Sequence, residues 1–295
     1  MHSSSAQLVQ PGYFHRLGLA ARPEDSLTTW CERVLGAVRI DSGMRQVRGI
    51  PFEGGSNEDG VSEESGAFTE MIWLGTLPIC VFVATDDQGQ LGSFVAKYGV
   101  GLHSVAWTVD DLWRSETLLR RSDIRITGVD LPGRHFFMHP ADTAGLLIEL
   151  TDTEFDNDPR DIPAALPPSA SSSVVQGASF AWLSMEVADP SKSAAVLSGI
   201  LETTRVDGLP RDLGQEVIDL RINDVVIRLA KRNEGESGRD TLHSFCIAAP
   251  NLADTCTRLQ AAGIAVIAQS EVLAWTDPAN TLGMKIQWVQ ASAMK

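Results

Sequence analysis

Three side chains of this 295-residue chain could hold a cation between them: His15, His103 and Glu149. Imidazole and carboxylate are hard-to-borderline ligands that suit Fe, Mn, Co, Ni or Zn, with coordination positions left open. Glu149 lies inside the apolar run LLIEL. An ionised carboxylate between Ile148 and Leu150 is costly unless a cation or partner compensates it. Taken singly, each histidine reads as an ordinary residue at a strand start. Taken jointly with that glutamate, the set favours one divalent metal ion. Cys80, in PICVFVA, is the fourth candidate. As a thiolate it could ligate a borderline metal. As a small buried thiol it leaves two imidazoles and a carboxylate, the ligand set of non-haem iron oxygenases.

Residues so far apart meet only if the fold brings them together, and an internal repeat supplies the reason. Leu102-His103-Ser104 opens a strand-like run followed by the helix-like VDDLWRSETLLRRS; Leu242-His243-Ser244 precedes FCIAA and then PNLADTCTRLQAAG. Downstream, PADTAG (140–145) precedes LLIEL, and PANTLG (278–283) precedes MKIQW. Two matches at nearly the same distance mark the halves as diverged copies of one domain. Within each half a smaller unit recurs. FHRLGLAA (14–21) reads as a strand. PEDSLTTWCERVLG (23–36) reads as an amphipathic helix, with Pro23 and Asp25 in its first turn and Gly36 at its end.

The pattern predicts an α+β protein of four βαβββ units, paired into two tandem domains, each a curled mixed sheet with helices outside. The domains run over 1–152 and 176–295, joined by a Pro/Ser/Asp-rich linker at 153–175. A curled sheet of paired units forms a trough into which first and last strands point, so His15, Cys80, His103 and Glu149 are expected there. By the repeat, Trp182 stands for His15 and Gln287 for Glu149, while His243 survives. The second domain therefore reads as structural.

Composition narrows the function classes. The chain is 43% hydrophobic and 21% charged, ordinary for a globular protein with a sizeable core. Its net charge of −14 argues against nucleic acid and anionic membrane surfaces as partners. It also hinders steering of a strongly anionic substrate, unless a local Arg or Lys cluster binds one. Arg120, Arg121 and Arg125, on or after a helix, read as a solvated face. Cys31, Cys80, Cys246 and Cys256 form no CxxC pair, so neither a disulfide framework nor a thiolate zinc site is expected. No secretory signal is visible, and the apolar run 71–84 is interrupted and short of a bilayer span, so a cytoplasmic location is expected. Pairing within one chain makes a monomer or homodimer the expected state.

GLHSVAWTVDDL followed by FFMHPADTAGLLIELTD resembles the second unit of the methylmalonyl-CoA epimerases, a family of the vicinal oxygen chelate superfamily. YFHRLGLAARPEDSLTTWCERVLGA is similar to that family's opening strand and helix, and the resemblance covers roughly residues 12–152. It implies a vicinal oxygen chelate fold and a divalent metal held by His15, His103 and Glu149. Cys80 stands where the family has Gln or Glu. It further implies Glu70, in GAFTEMIWLG, as a second catalytic carboxylate. Ser104 stands where these epimerases usually carry another His, and is expected to face away from the cavity. The stretch 51–66 (PFEGGSNEDGVSEESG) reads as a mobile loop and adds Glu53, Glu58, Glu63 and Glu64.

The implied reaction is proton transfer next to a carbonyl, as in an epimerase or racemase. A metal would stabilise the enolate of a small carbonyl substrate while Glu70 and Glu149 remove and return a proton on opposite faces. Two other enzyme readings compete. Extradiol-type dioxygenases also have four such units, but keep their site in the trailing pair and a Tyr where this chain has Phe136 and Phe137. A glyoxalase-type lyase is the other. The remaining alternative is a small-molecule binding protein using the trough without metal.

Overall fold

The computed structural model describes residues 7–40, 44–46, 67–128, 133–165, 172–212, 214–233 and 235–294. The leading half runs β1 (Phe14–Ala21), α1 (Leu27–Trp30), β2 (Val38–Arg39), β3 (Met44–Gln46), β4 (Ala67–Leu74), β5 (Leu77–Ala84), α2 (Gln90–Tyr98), β6 (Gly101–Thr108), α3 (Leu112–Arg121), β7 (Ile126–Thr127), β8 (His135–Met138), β9 (Ile148–Thr151) and β10 (Thr153–Phe155). The trailing half runs β11 (Ser179–Val187), α4 (Pro190–Ile200), β12 (Thr204–Val206), β13 (Val217–Ile222), β14 (Val225–Lys231), β15 (Thr241–Ala249), α5 (Leu252–Ala261), β16 (Val266–Gln269), β17 (Leu273–Thr276) and β18 (Lys285–Gln290).

Among the described residues each half forms an eight-stranded mixed sheet. The orders are β2-β4-β5-β1-β6-β9-β8-β7 and β12-β13-β14-β11-β15-β18-β17-β16. Strand for strand they match, so the four βαβββ units read from the repeat are present. Helices α3, α4 and α5 start alike: Asp111, Asp189 and Asn251 each accept a hydrogen bond from a backbone N–H in the first turn. The first helix is less regular than its sequence predicts. Pro23–Asp25 is a 3₁₀ turn, and Ser26 adopts a left-handed conformation. Cys31–Leu35 widens into a π turn before Gly36, at φ 72°, closes it.

Register assigns each side chain to a face. Leu17, Leu19, Val81, Val105, Trp107, Ile148 and Leu150 pack with Leu27, Trp30, Leu112 and Leu119 in the core beneath α1 and α3. The alternate positions, Arg16, Gly18, Cys80, Ser104, Ala106 and Glu149, line the other face, the trough. At the Ala20 end of β1, the α2 residues Leu91, Phe94 and Val95 pack over it with Ala20 and Phe82. At the Phe14 end the chain leaving β9 folds back over it. Phe155 stacks on His15 and meets Trp73 edge-on. Arg160 lies over the Tyr13 ring and donates to the Phe14 carbonyl. The stretch expected as a plain linker is, at 153–160, a cover for the trough.

The halves touch directly. Val9 bridges to Leu201, and Asp224 Oδ1 accepts from Phe14 N at 2.8 Å. Gly145 sits at φ +92° so close to the other half that a Cβ would lie 2.0 Å from Asp240 O. Among the described residues no helix is long and apolar enough to cross a membrane. The acidic stretch 51–66, with Glu53, Glu58, Glu63 and Glu64, lies outside the described residues.

Replacing Gly145 by Ala should therefore cost about 2 kcal/mol or more of folding free energy. Gly199→Ala, in helix α4 with open space around it, should instead gain about 0.5–1 kcal/mol. Urea denaturation of both variants checks the contrast.

Candidate functional site

Two β-bulges decide what faces the centre of the leading trough. Strand β1 shifts register between Phe14 and Arg16, leaving His15 as the extra residue; β6 shifts between Ser104 and Leu102, leaving His103 extra. The residues presented inward are the next ones along, Arg16 and Ser104. A Cβ on Gly18 would meet Ser104 Oγ at 2.4 Å, which places that hydroxyl inside the trough. The expectation that Ser104 faces away is thus corrected, and its cause is the one-residue slip that exchanges the faces of a strand.

Arg16 occupies the centre. Its Nη2 donates to Glu149 Oε1 at 2.5 Å, and both side chains are buried. Its Nη1 donates to His15 Nδ1 at 2.7 Å, so the ring carries its proton on Nε2, which points at Thr153 Oγ1 at 3.3 Å. Burial, and then the neighbouring positive charge of Arg16, push the His15 pKa well below its ordinary value. The imidazole is neutral with both nitrogens engaged. Cys80 feels the charges of Arg16 and Glu149, but burial dominates and raises its thiol to about 12, so it is not a thiolate. Glu149 Oε2 has no hydrogen-bond partner among the described residues.

His103 is directed elsewhere. Its ring lies edge-on to Phe82 and Phe94, with centroids 5.5 and 4.8 Å away, and its Nδ1 is 3.1 Å from Ser104 Oγ. Burial lowers its pKa to about 4. Glu70 is also turned away. It pairs in register with Val81 on the helix side of the sheet, accepts from Thr28 Oγ1, and lies 3.3 Å from Arg39 Nη1. The two carboxylates expected to flank one carbon therefore sit on opposite faces of the sheet.

The expected metal set does not come together. Among the described residues, no three His, Cys, Asp or Glu side chains converge to hold an ion. A guanidinium already sits on the carboxylate a divalent cation would need, and like charge at that range opposes a second cation strongly. The residues present do not fit the metal.

The trailing trough repeats the theme with other residues. Trp182 and Cys246 are in register, as are Ser184 and Ser244, and Gln287 pairs with Cys246. Trp182 thus corresponds to Arg16 rather than to His15, while Gln287 corresponds to Glu149 as the repeat predicts. Here too a buried arginine lies inside. Arg228 holds Asp219 through two bonds of 2.8 and 3.0 Å and lies 4.3 Å from the Trp182 ring centroid.

A cavity of about 990 Å³ lies between the halves. The motifs that reveal the repeat meet at its walls: His103 and His243 from the paired Leu-His-Ser strand starts, and 140–145 and 283–285 from the paired turns. The sequence singles out these residues as a duplication; that they share a cleft needs the packing of two domains.

No family model matches the chain, and no curated protein does. Solved structures do. A triple variant of 4-hydroxymandelate synthase from Streptomyces coelicolor matches at 10% identity and TM-score 0.64, covering 95% of this chain and 92% of the other. A hypothetical protein from Staphylococcus aureus matches at 10% identity and TM-score 0.54 over 96% and 99%. Methylmalonyl-CoA epimerase from Mycobacterium tuberculosis matches at 21% identity and TM-score 0.38, over 51% of this chain and 92% of its own. The likeness to the first two, over 95% and 96% of this chain, is one of fold: two tandem curled mixed sheets.

Removing one partner of the central ion pair, as Arg16→Leu or Glu149→Leu, should destabilise by about 3–5 kcal/mol, whereas the double variant should recover most of the loss. A double-mutant cycle by chemical denaturation reads this. The folded pKa of His103 lies below the unfolded 6.5, so the unfolded chain gains the proton first as pH falls. Its contribution is present above pH 6.5 and lost from there toward pH 4. His103→Leu should flatten that slope by about 1.4 kcal/mol per pH unit, measured by denaturation across the window.

Proposed function

We propose that this tandem vicinal oxygen chelate protein binds a small organic molecule in the cleft between its domains. In this reading the leading trough is a closed structural centre, held by Arg16 and Glu149 instead of a metal. The ion pair carries the second half of the reading. A trough that holds an exchangeable cation presents open donors, whereas here the guanidinium occupies one oxygen of the carboxylate and residues 153–160 lie over the opening. The cleft supports the first half. Ligand sites favour domain interfaces and volumes of roughly 300–1,000 Å³ with largely apolar walls. Phe94, Leu102, Leu147, Val196 and Met284 supply such walls here.

Metal-dependent proton transfer at a carbonyl is the second reading, favoured by one observation: the second oxygen of Glu149 is buried without a partner among the described residues. Glu70 takes no part in it, given its place across the sheet.

Two measurements separate the readings. Equilibrium dialysis against Co, Ni, Mn, Fe and Zn should leave less than one ion per chain. One equivalent retained by the native protein and lost in Glu149→Gln would restore the metal-dependent reading. Anilinonaphthalene sulfonate should show one saturable fluorescent site that Val196→Trp, filling the cleft wall, abolishes.

A further inference from the structure

The cleft's charges are unevenly matched. Its carboxylates are engaged: Asp142 receives Arg125 through Nε and Nη2 at 2.8 and 2.7 Å. Asp240 accepts from Arg232 Nη2 and from Ala188 N, while Asp189 caps helix α4 by accepting from Lys192 N and keeps its charge without a salt bridge among the described residues. The cations differ. Among the described residues Lys192, Arg239 and Lys285 line the cleft with no salt bridge to any carboxylate. Arg239 stacks on the Tyr98 ring at 4.5 Å, and Lys285 Nζ lies 2.6 Å from His243 Nε2. In a chain of net charge −14, three cations without a salt bridge around one concave surface can meet an anion there.

We propose that the cleft takes an organic anion: a carboxylate or phosphate headgroup held by Lys192, Arg239 and Lys285, on an apolar or aromatic body packed against Phe94, Tyr98 and Val196. This rests on the reading of the cleft as the binding site and adds the ligand's charge. Charge-assisted hydrogen bonds to the headgroup supply the orientation, and the apolar walls supply the burial. The acidic remainder of the surface repels anions at long range. Selection is therefore made in the cleft itself, and salt should weaken it.

The test compares two dyes of similar shape: anilinonaphthalene sulfonate, an anion, and N-phenylnaphthylamine, which is neutral. The variants are Lys192→Ala, Arg239→Ala, Lys285→Ala, their triple combination, and Val196→Trp, each first shown to unfold at the native midpoint. Each lost charge should weaken the anionic dye up to about tenfold, and more in the triple variant, with the neutral dye unchanged. Competition by benzoate against phenyl phosphate then identifies the headgroup. If both dyes bind alike and neither responds to loss of the cations while Val196→Trp abolishes both, the charge assignment is overturned and the cleft stands. If Val196→Trp affects neither dye, the cleft reading falls as well.

Discussion

A guanidinium on a carboxylate, both out of water, is the constraint around which the leading domain is arranged. An isolated charge at either position would be prohibitive, and the pair offsets that cost only while its geometry holds. The surroundings hold it. His15 takes a second hydrogen from Arg16, and Thr153 fixes the ring from its far side. Phe155 stacks on that ring, and Arg160 lies between the rings of Tyr13 and Trp73. The small residues Gly18, Cys80, Ser104 and Ala106 leave room for the guanidinium at the level of Glu149. Nearby, Arg134 and Asp152 add their charges to the same cluster.

The trailing domain meets a similar demand with different letters. Arg228 comes from β14, not from the strand equivalent to β1, and its partner is Asp219 on the neighbouring strand. Gln287 fills the Glu149 position and donates to Asp212. Two copies that have lost most sequence likeness have each placed a paired arginine inside the curl of the sheet. An arginine there can satisfy several acceptors from one residue, which suits a concave polar interior with no solvent to complete it.

Much of this architecture was legible in the sequence because it rests on periodic signals. Alternating and continuous apolar runs mark the strands, Asx residues before helices mark their starts, and the paired turns at 140–145 and 278–283 mark the duplication. Glu149 was legible too, since a carboxylate amid LLIEL requires a counter-charge, and it has one. What the sequence concealed is the identity of that counter-charge. Alternation of faces is reliable along an unbroken strand. At His15 and His103 it is broken by bulges that no local residue announces, and each reading slipped by one. The trace available was Arg16 itself, a charge inside a strand buried along its length. Glu70 was misplaced for a related reason: its strand follows an insertion whose length shifts any count of faces.

The bulges carry an evolutionary implication. In YFHRLG the imidazole immediately precedes the guanidinium, and the bulge alone chooses between them. Loss of a single codon, that of Arg16, would regularise β1 and swing the imidazole inward beside Glu149. The same holds for the serine after His103 on β6. Ion-pair and ligating versions of this interior are thus neighbours in mutational space, separated by indels rather than by a series of substitutions. A lineage could pass between them while every other strand keeps its register.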